Sequence, residues 1–423
     1  MQKRGFWTWL IFFFLVAGAV TLSAPALSTP AEKARLDALP LAFNYFTWET
    51  NAFLIKGMQT GVKPAQTLSP QAQHDLVIET LRLTYELEWQ EAVISSAYAR
   101  AEGIDPAQQL GEDLARQKEL REKLERLRPL AESILEAQVS GVLVEEGIAR
   151  MGSAIPPLLF HITPLPMALI TSPRDVIRQD TNLSLLAELT LEEIEQLELE
   201  VERSTGQSAL VVDVGGIGVY PTMVMRSSNL PWMLDTIAHE WTHNYLSLRP
   251  LGWLYDKTPE LRTMNETAAT LAGMEISQKV LERYYPEFLP PPVDETATDP
   301  IPATEQPEQT EIFDFRAEMH ATRVRVDELL EAGKVEEAEA YMEERRMVFI
   351  EQGYDLRKLN QAYFAFHGAY AALPGGAAGE DPVGPAVNEL RASSDSLADF
   401  LRTIGRMDSY EDLLAYNARV REE

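Results

Sequence analysis

His239-Glu240-Trp241-Thr242-His243, the pattern H-E-x-x-H, and the downstream Asn265-Glu266-Thr267-Ala268-Ala269 decide how the rest of the chain is read. On a helix, side chains four apart stack on one face, so His239 and His243 can hold one metal ion between them. Glu240 falls about 100° round from His239, beside the pair, while Leu234, Ile237, Ala238, Trp241, Tyr245 and Leu248 occupy the opposite sector. The helix therefore has an apolar back to bury and a reactive front. The chain holds six histidines, and a chance H-E-x-x-H in such a sequence is expected roughly once in a hundred.

Two imidazoles leave zinc short of ligands, because catalytic sites supply three from the protein and keep one position for water or substrate. Glu266 is the expected third ligand. Thr258-Pro259-Glu260 reads as an N-cap, a first-turn proline and an acidic first turn, so a second helix opens there. On that helix Thr263, Thr270, Gly273 and Ser277 share the Glu266 face, and such small residues let the two helices approach closely. One zinc per chain, held by His239, His243 and Glu266, is the expectation.

The spacing excludes metzincins, since Leu246 and Arg249 stand where the glycine and third histidine of that pattern belong. It resembles the gluzincins, the thermolysin-like and aminopeptidase-like zinc peptidases with H-E-x-x-H and a downstream N-E-x-x-[SA] helix. The resemblance implies a zincin-like α+β fold in which Glu240 is the general base. It also implies an edge strand beside the active helix that binds substrate backbone by strand addition. Thr270 departs from the pattern, because the family often has a carboxylate there supporting a zinc histidine.

The formal charge of −28 and the pI near 4.6 argue against a nucleic-acid partner, since no basic patch offsets that field. No cysteine is present, which excludes thiol catalysis, disulfides and cysteine zinc sites. The start, Lys3-Arg4 and then uncharged residues 6–22 before Ser23-Ala24-Pro25-Ala26, reads as a secretory signal or an uncleaved membrane anchor within residues 1–30. Either reading places the rest of the chain outside the cytoplasmic membrane.

Residues 31–150 read as an N-terminal helical region containing a long antiparallel helix pair from about Pro70. Residues 151–285 read as the zincin core. There, 156–163, 167–170, 209–214 and 217–225 have strand character, 183–202 reads as helix, and a small mixed sheet precedes the H-E-x-x-H helix. Gly215-Gly216-Ile217-Gly218 is not a nucleotide loop, since Pro221 takes the last glycine position; it reads as a turn between strands, with Pro221 on an edge strand. Residues 286–311 carry seven prolines and seven acidic residues without Lys or Arg, and are expected as a mobile surface insertion. Residues 312–423 form a C-terminal helical region expected to complete the cleft.

Within that region, Asn360, Tyr363, Phe364, His367 and Tyr370 share one helix face. Tyr363 and His367 are expected as catalytic donors to a developing oxyanion, against the plainer reading of a core face with a polar edge. The three helices together resemble a family of bacterial exported proteins assigned as aminopeptidases, over roughly residues 40–420. The reading is a mostly helical α+β zinc peptidase acting on peptides or proteins. Its rival is a non-catalytic zinc-bearing binding or scaffold protein, which the intact Glu240 disfavours because a structural site needs no base there.

Overall fold

The computed structural model describes residues 29–59, 64–100, 110–148, 154–187, 189–289, 313–354, 356–368 and 382–422. The N-terminal apolar segment, Tyr370 and most of the acidic insertion lie outside these residues. No described helix is long and apolar enough to cross a membrane.

Helices dominate, with two small sheets between them. Helices α1 (Pro30–Ala38), α2 (Tyr45–Gln59) and α3 (Pro64–Thr67) lead into α4 (Pro70–Arg100) and α5 (Gly111–Glu145). The last two form the expected antiparallel pair. Gln90 bonds Asp113 and Arg116 bonds Glu86, each at 2.8 Å, so numbers rise on one helix as they fall on the other. Leu83, Leu87, Leu120 and Leu124 close the seam between them.

Strands β1 (Phe160–Ile162), β2 (Met167–Ser172) and β3 (Thr181–Leu185) precede α6 (Leu191–Thr205), after which come β4 (Ser208–Val212), β5 (Gly216–Ile217) and β6 (Thr222–Val224). The outer sheet runs β3-β2-β4, all antiparallel. Its faces alternate with period two. Leu169 and Val211 face α1 and α6, while Ala168, Ile170 and Leu210 face Ala362 on the other side. The inner sheet runs β1-β6-β5 and is mixed: β1 is parallel to β6, and β5 is antiparallel to it, with Ile217 opposite Met223.

Two local readings change. The stretch 183–202 is not one helix: Leu183 and Leu185 pair with β2, and the helix begins only after Thr190, whose hydroxyl and Glu193 form a reciprocal capping box. The stretch 217–225 is not one strand but a hairpin. Gly216–Ile217 is itself the edge strand, and Pro221 sits in the reversal before the central β6.

Beyond β6 come α7 (Leu230–Leu246), α8 (Pro250–Trp253) and α9 (Pro259–Tyr284). The 3-10 turn Pro286–Phe288 follows, and Glu287 accepts from His74 Nε2 at 2.6 Å, so the body extends past the expected start of the insertion at 286. The C-terminal region contains α10 (Phe315–Glu331), α11 (Val335–Glu351), α12 (Gln361–His367), α13 (Val383–Ser393), α14 (Leu397–Ile404) and α15 (Tyr410–Glu422). One apolar core runs from Ile134 and Leu135 of α5, through Leu234 and Trp241 of α7 and Ala268 and Ile276 of α9, to Val387, Phe400 and Leu413 of the last three helices. The α10–α12 group keeps a smaller core of its own around Met342, Phe349 and Phe364.

Candidate metal centre

Two caps set the register of the site. Asn229 accepts from the Trp232 N–H at 3.1 Å and starts α7; Thr258 accepts from the Leu261 N–H at 3.3 Å and starts α9. The two helices then pack against each other, closely at Gly273. A Cβ there would lie 2.7 Å from Asp235 Oδ1 and 3.2 Å from His239 Cβ. The small residue allows the close approach that the sequence called for.

This contact brings His239, His243 and Glu266 into one group. The two Nε2 atoms are 3.0 Å apart, and Glu266 Oε2 lies 3.5 Å from each. A tetrahedral zinc ion with bonds near 2.0–2.2 Å needs ligand atoms about 3.3–3.5 Å apart, so the triangle has the right size. The outer ring nitrogens are also addressed. His243 Nδ1 lies 2.8 Å from Asn265 Oδ1, and His239 Nδ1 lies 3.5 Å from Thr270 Oγ1. Thr270 thus takes up the place of the missing carboxylate, though it gives its hydroxyl hydrogen to the Glu266 carbonyl at 2.9 Å.

Glu266 is asymmetric. Its Oε1 accepts from the Tyr255 hydroxyl, whereas its Oε2 is buried with no hydrogen-bond partner and faces both imidazoles. An orphaned carboxylate oxygen between two imidazole nitrogens is the donor set a zinc ion completes. Burial pushes the Glu266 carboxyl up, but His243 and His239 outweigh it and hold it well below the usual carboxylate range. Burial likewise opposes a charged ring at His243, and Glu266 outweighs it, holding the imidazole up to about 9.

Glu240 is buried beside the triad, and burial pushes its carboxyl up. The edge strand lies directly over it: a Cβ on Gly216 would come within 2.6 Å of Glu240 Cγ. Asn244 fastens this hairpin to α7 by donating to the Val219 carbonyl and to Thr222 Oγ1, both at 3.1 Å.

Tyr363 and His367 lie on α12. That helix packs on β2 and β4, with Tyr363 against the cluster of Ala168, Ile170, Leu210 and Ala362 and its ring centroid 4.3 Å from that of His367. Neither side chain makes a hydrogen bond or ring contact with the triad among the described residues. Burial alone pushes the Tyr363 hydroxyl up to about 12 and the His367 ring down to about 4. Tyr255, which the sequence reading passed over, is the aromatic group actually at the triad, its ring 6.1 Å edge-on from His243. Its only sequence signal is its position in the short link between the two motifs.

No family model, curated protein or solved structure matches the chain.

Proposed function

We propose that the chain is a zinc-dependent peptidase of gluzincin type, acting on peptide bonds outside the cytoplasmic membrane. The observation that carries this reading is the buried, unpartnered Glu266 Oε2 at 3.5 Å from both His239 and His243, with Glu240 next to them. His239, His243 and Glu266 would hold the ion, one per chain. When bound, zinc supplies Lewis acidity toward a carbonyl oxygen and makes a water more acidic.

The chain's own residues do the remaining work. Glu240 takes the proton of the attacking water and returns it to the leaving amine, a task suited to a buried carboxylate whose affinity for the proton is raised. Asn265 and Thr270 fix the imidazoles so that Nε2 of each points inward. Tyr255 holds one oxygen of Glu266 and leaves the other for the metal. The β5 edge supplies backbone groups that can align an extended peptide across the front of α7.

The test is Glu240→Gln in the full chain, assayed on a diverse peptide library with zinc present. The expected result is intact fold and zinc content with turnover lowered roughly 10²–10⁴-fold. Undiminished turnover would remove the base. Wild-type chain inactive on every peptide would transfer the site to the binding-protein reading.

A further inference from the structure

Arg262 stands one helical turn before Glu266 on α9, so both side chains leave the same face of that helix. It is only 8 % exposed. Its Nε is enclosed with no acceptor, and its guanidinium forms no ion pair or hydrogen bond with any described residue. The chain has 65 acidic residues against 37 basic ones, so an arginine without a carboxylate is unexpected. Elsewhere the buried cation Lys56 has two, Glu132 and Glu136, each at 2.8 Å. An unpaired buried guanidinium is costly for a fold to keep, and it is retained where an incoming anion completes it.

Arg262 lines a cavity of about 770 Å³ between the start of α9, α10, α12 and the 175–179 segment. That volume lies in the range of small-molecule and peptide sites. Two further cations line the same cavity and both are paired: Arg323 with Asp327 at 2.8 Å and over the Phe364 ring at 5.7 Å, and Arg178 with Asp180 at 2.7 Å. The rim differs in sign. Asp175, Glu260, Glu328 and Glu331 line it and are exposed to solvent, against one exposed cation, Arg178. Such a rim repels multiply charged anions and attracts an ammonium group, while one guanidinium at the floor matches one carboxylate through its planar fork.

We infer that this cavity is a recognition site for a short zwitterionic peptide, whose free C-terminal carboxylate pairs with Arg262 and whose ammonium group faces the acidic rim. The inference takes its ligand class from the peptidase reading, but binding at Arg262 requires neither zinc nor hydrolysis. Arg262 is here a positioning residue for substrate or product, not a catalytic one.

The experiment is calorimetric titration of the full-length Glu240→Gln chain, with and without a chelator, using trialanine, its C-terminal amide, its N-acetyl form and succinate. Trialanine is expected to bind about tenfold or more tighter than the amide, with or without chelator, and tighter than the N-acetyl form and succinate. Arg262→Met is expected to erase the preference for the free carboxylate, and its unfolding midpoint should equal or exceed that of the parent, because an unpaired charge has been removed. Trialanine should raise the parent's midpoint and not the variant's. Equal binding of acid and amide, no binding of trialanine at millimolar concentration, a preference that survives Arg262→Met, or a variant that unfolds several degrees earlier would overturn the proposal. Succinate binding as tightly as trialanine would overturn the zwitterion assignment. A chain that shows the preference yet has no wild-type peptidase activity would defeat the peptidase reading and leave this site standing.

Discussion

Among the described residues, histidine meets glutamate in two buried clusters, and they are finished differently. In the first, Glu132 of α5 accepts from Lys56 Nζ at 2.8 Å and from the Ile162 N–H at 2.8 Å, and His161 Nδ1 lies 3.1 Å away. Glu136, one turn on, accepts from the same Lys56 and from the Phe160 N–H at 3.0 Å. A cation is built in, and backbone donors of β1 occupy the remaining lone pairs. In the second, Glu266 receives one hydroxyl and keeps one oxygen unpartnered before two imidazoles, with no Lys or Arg in contact. The first is a brace between α2, α5 and β1; the second turns a carboxylate oxygen and two imidazole nitrogens toward one point. Residue types alone do not separate a brace from a site. The count of satisfied lone pairs does.

The comparison can be broken most severely through stability. Lys56→Met leaves Glu132 and Glu136 buried without their cation and should cost about 3–5 kcal/mol in urea unfolding. Glu266→Gln, measured on zinc-free protein at pH 8, should cost less, because its partner His243 can release its proton once the carboxylate is gone. Equal losses in the two variants would erase the distinction between brace and site.

Acid sharpens the same contrast. Burial pushes the Glu132 carboxyl up, but Lys56 and His161 outweigh it and bring it down to about 2. Its folded value is depressed below the ordinary 4.5, so its stabilisation is present above that value and is lost as pH falls towards 2. Glu136, which burial pushes up, works in the opposite sense at the top of this window. In zinc-free protein, the unfolding free energy of the wild type should therefore fall more steeply from pH 4.5 to 2 than that of Glu132→Gln. Parallel slopes would show that the brace carries no net charge pairing.

A smaller effect is expected at Tyr255. Tyr255→Phe removes the hydroxyl that holds Glu266 Oε1 and should weaken zinc binding about 10–100-fold while changing zinc-free stability by about 1 kcal/mol. An unchanged zinc affinity in a competition assay would show that Glu266 is positioned by α9 alone.

What the sequence revealed follows from where its information is local. The grouping of His239, His243 and Glu266 was legible because a four-residue helical repeat, a cap at Thr258 and small residues such as Gly273 each act within a turn or two of chain. The antiparallel α4–α5 pair was legible for the same reason, from its leucine period. The misreadings involve distant partners. Leu183 and Leu185 suit a helix until β2 is placed beside them, and the 217–225 hairpin depends on β1 lying alongside β6. Tyr255 reaches Glu266 only because α8 turns the chain back, and nothing in its neighbours announces that. Tyr363 and His367 share a face, as expected, and Tyr363 packs beside Ala168, Ile170 and Leu210 of the outer sheet, whose position no local pattern encodes.

The central claim is that the open cluster, and not the closed one, is a zinc site. Its most direct test is zinc stoichiometry and affinity of the full chain, by competition with a chromogenic chelator, for wild type, His243→Ala and His161→Ala. One tightly held zinc per wild-type chain, retained by His161→Ala and lost from His243→Ala, is the predicted result. Full zinc occupancy at unchanged affinity in His243→Ala would contradict it.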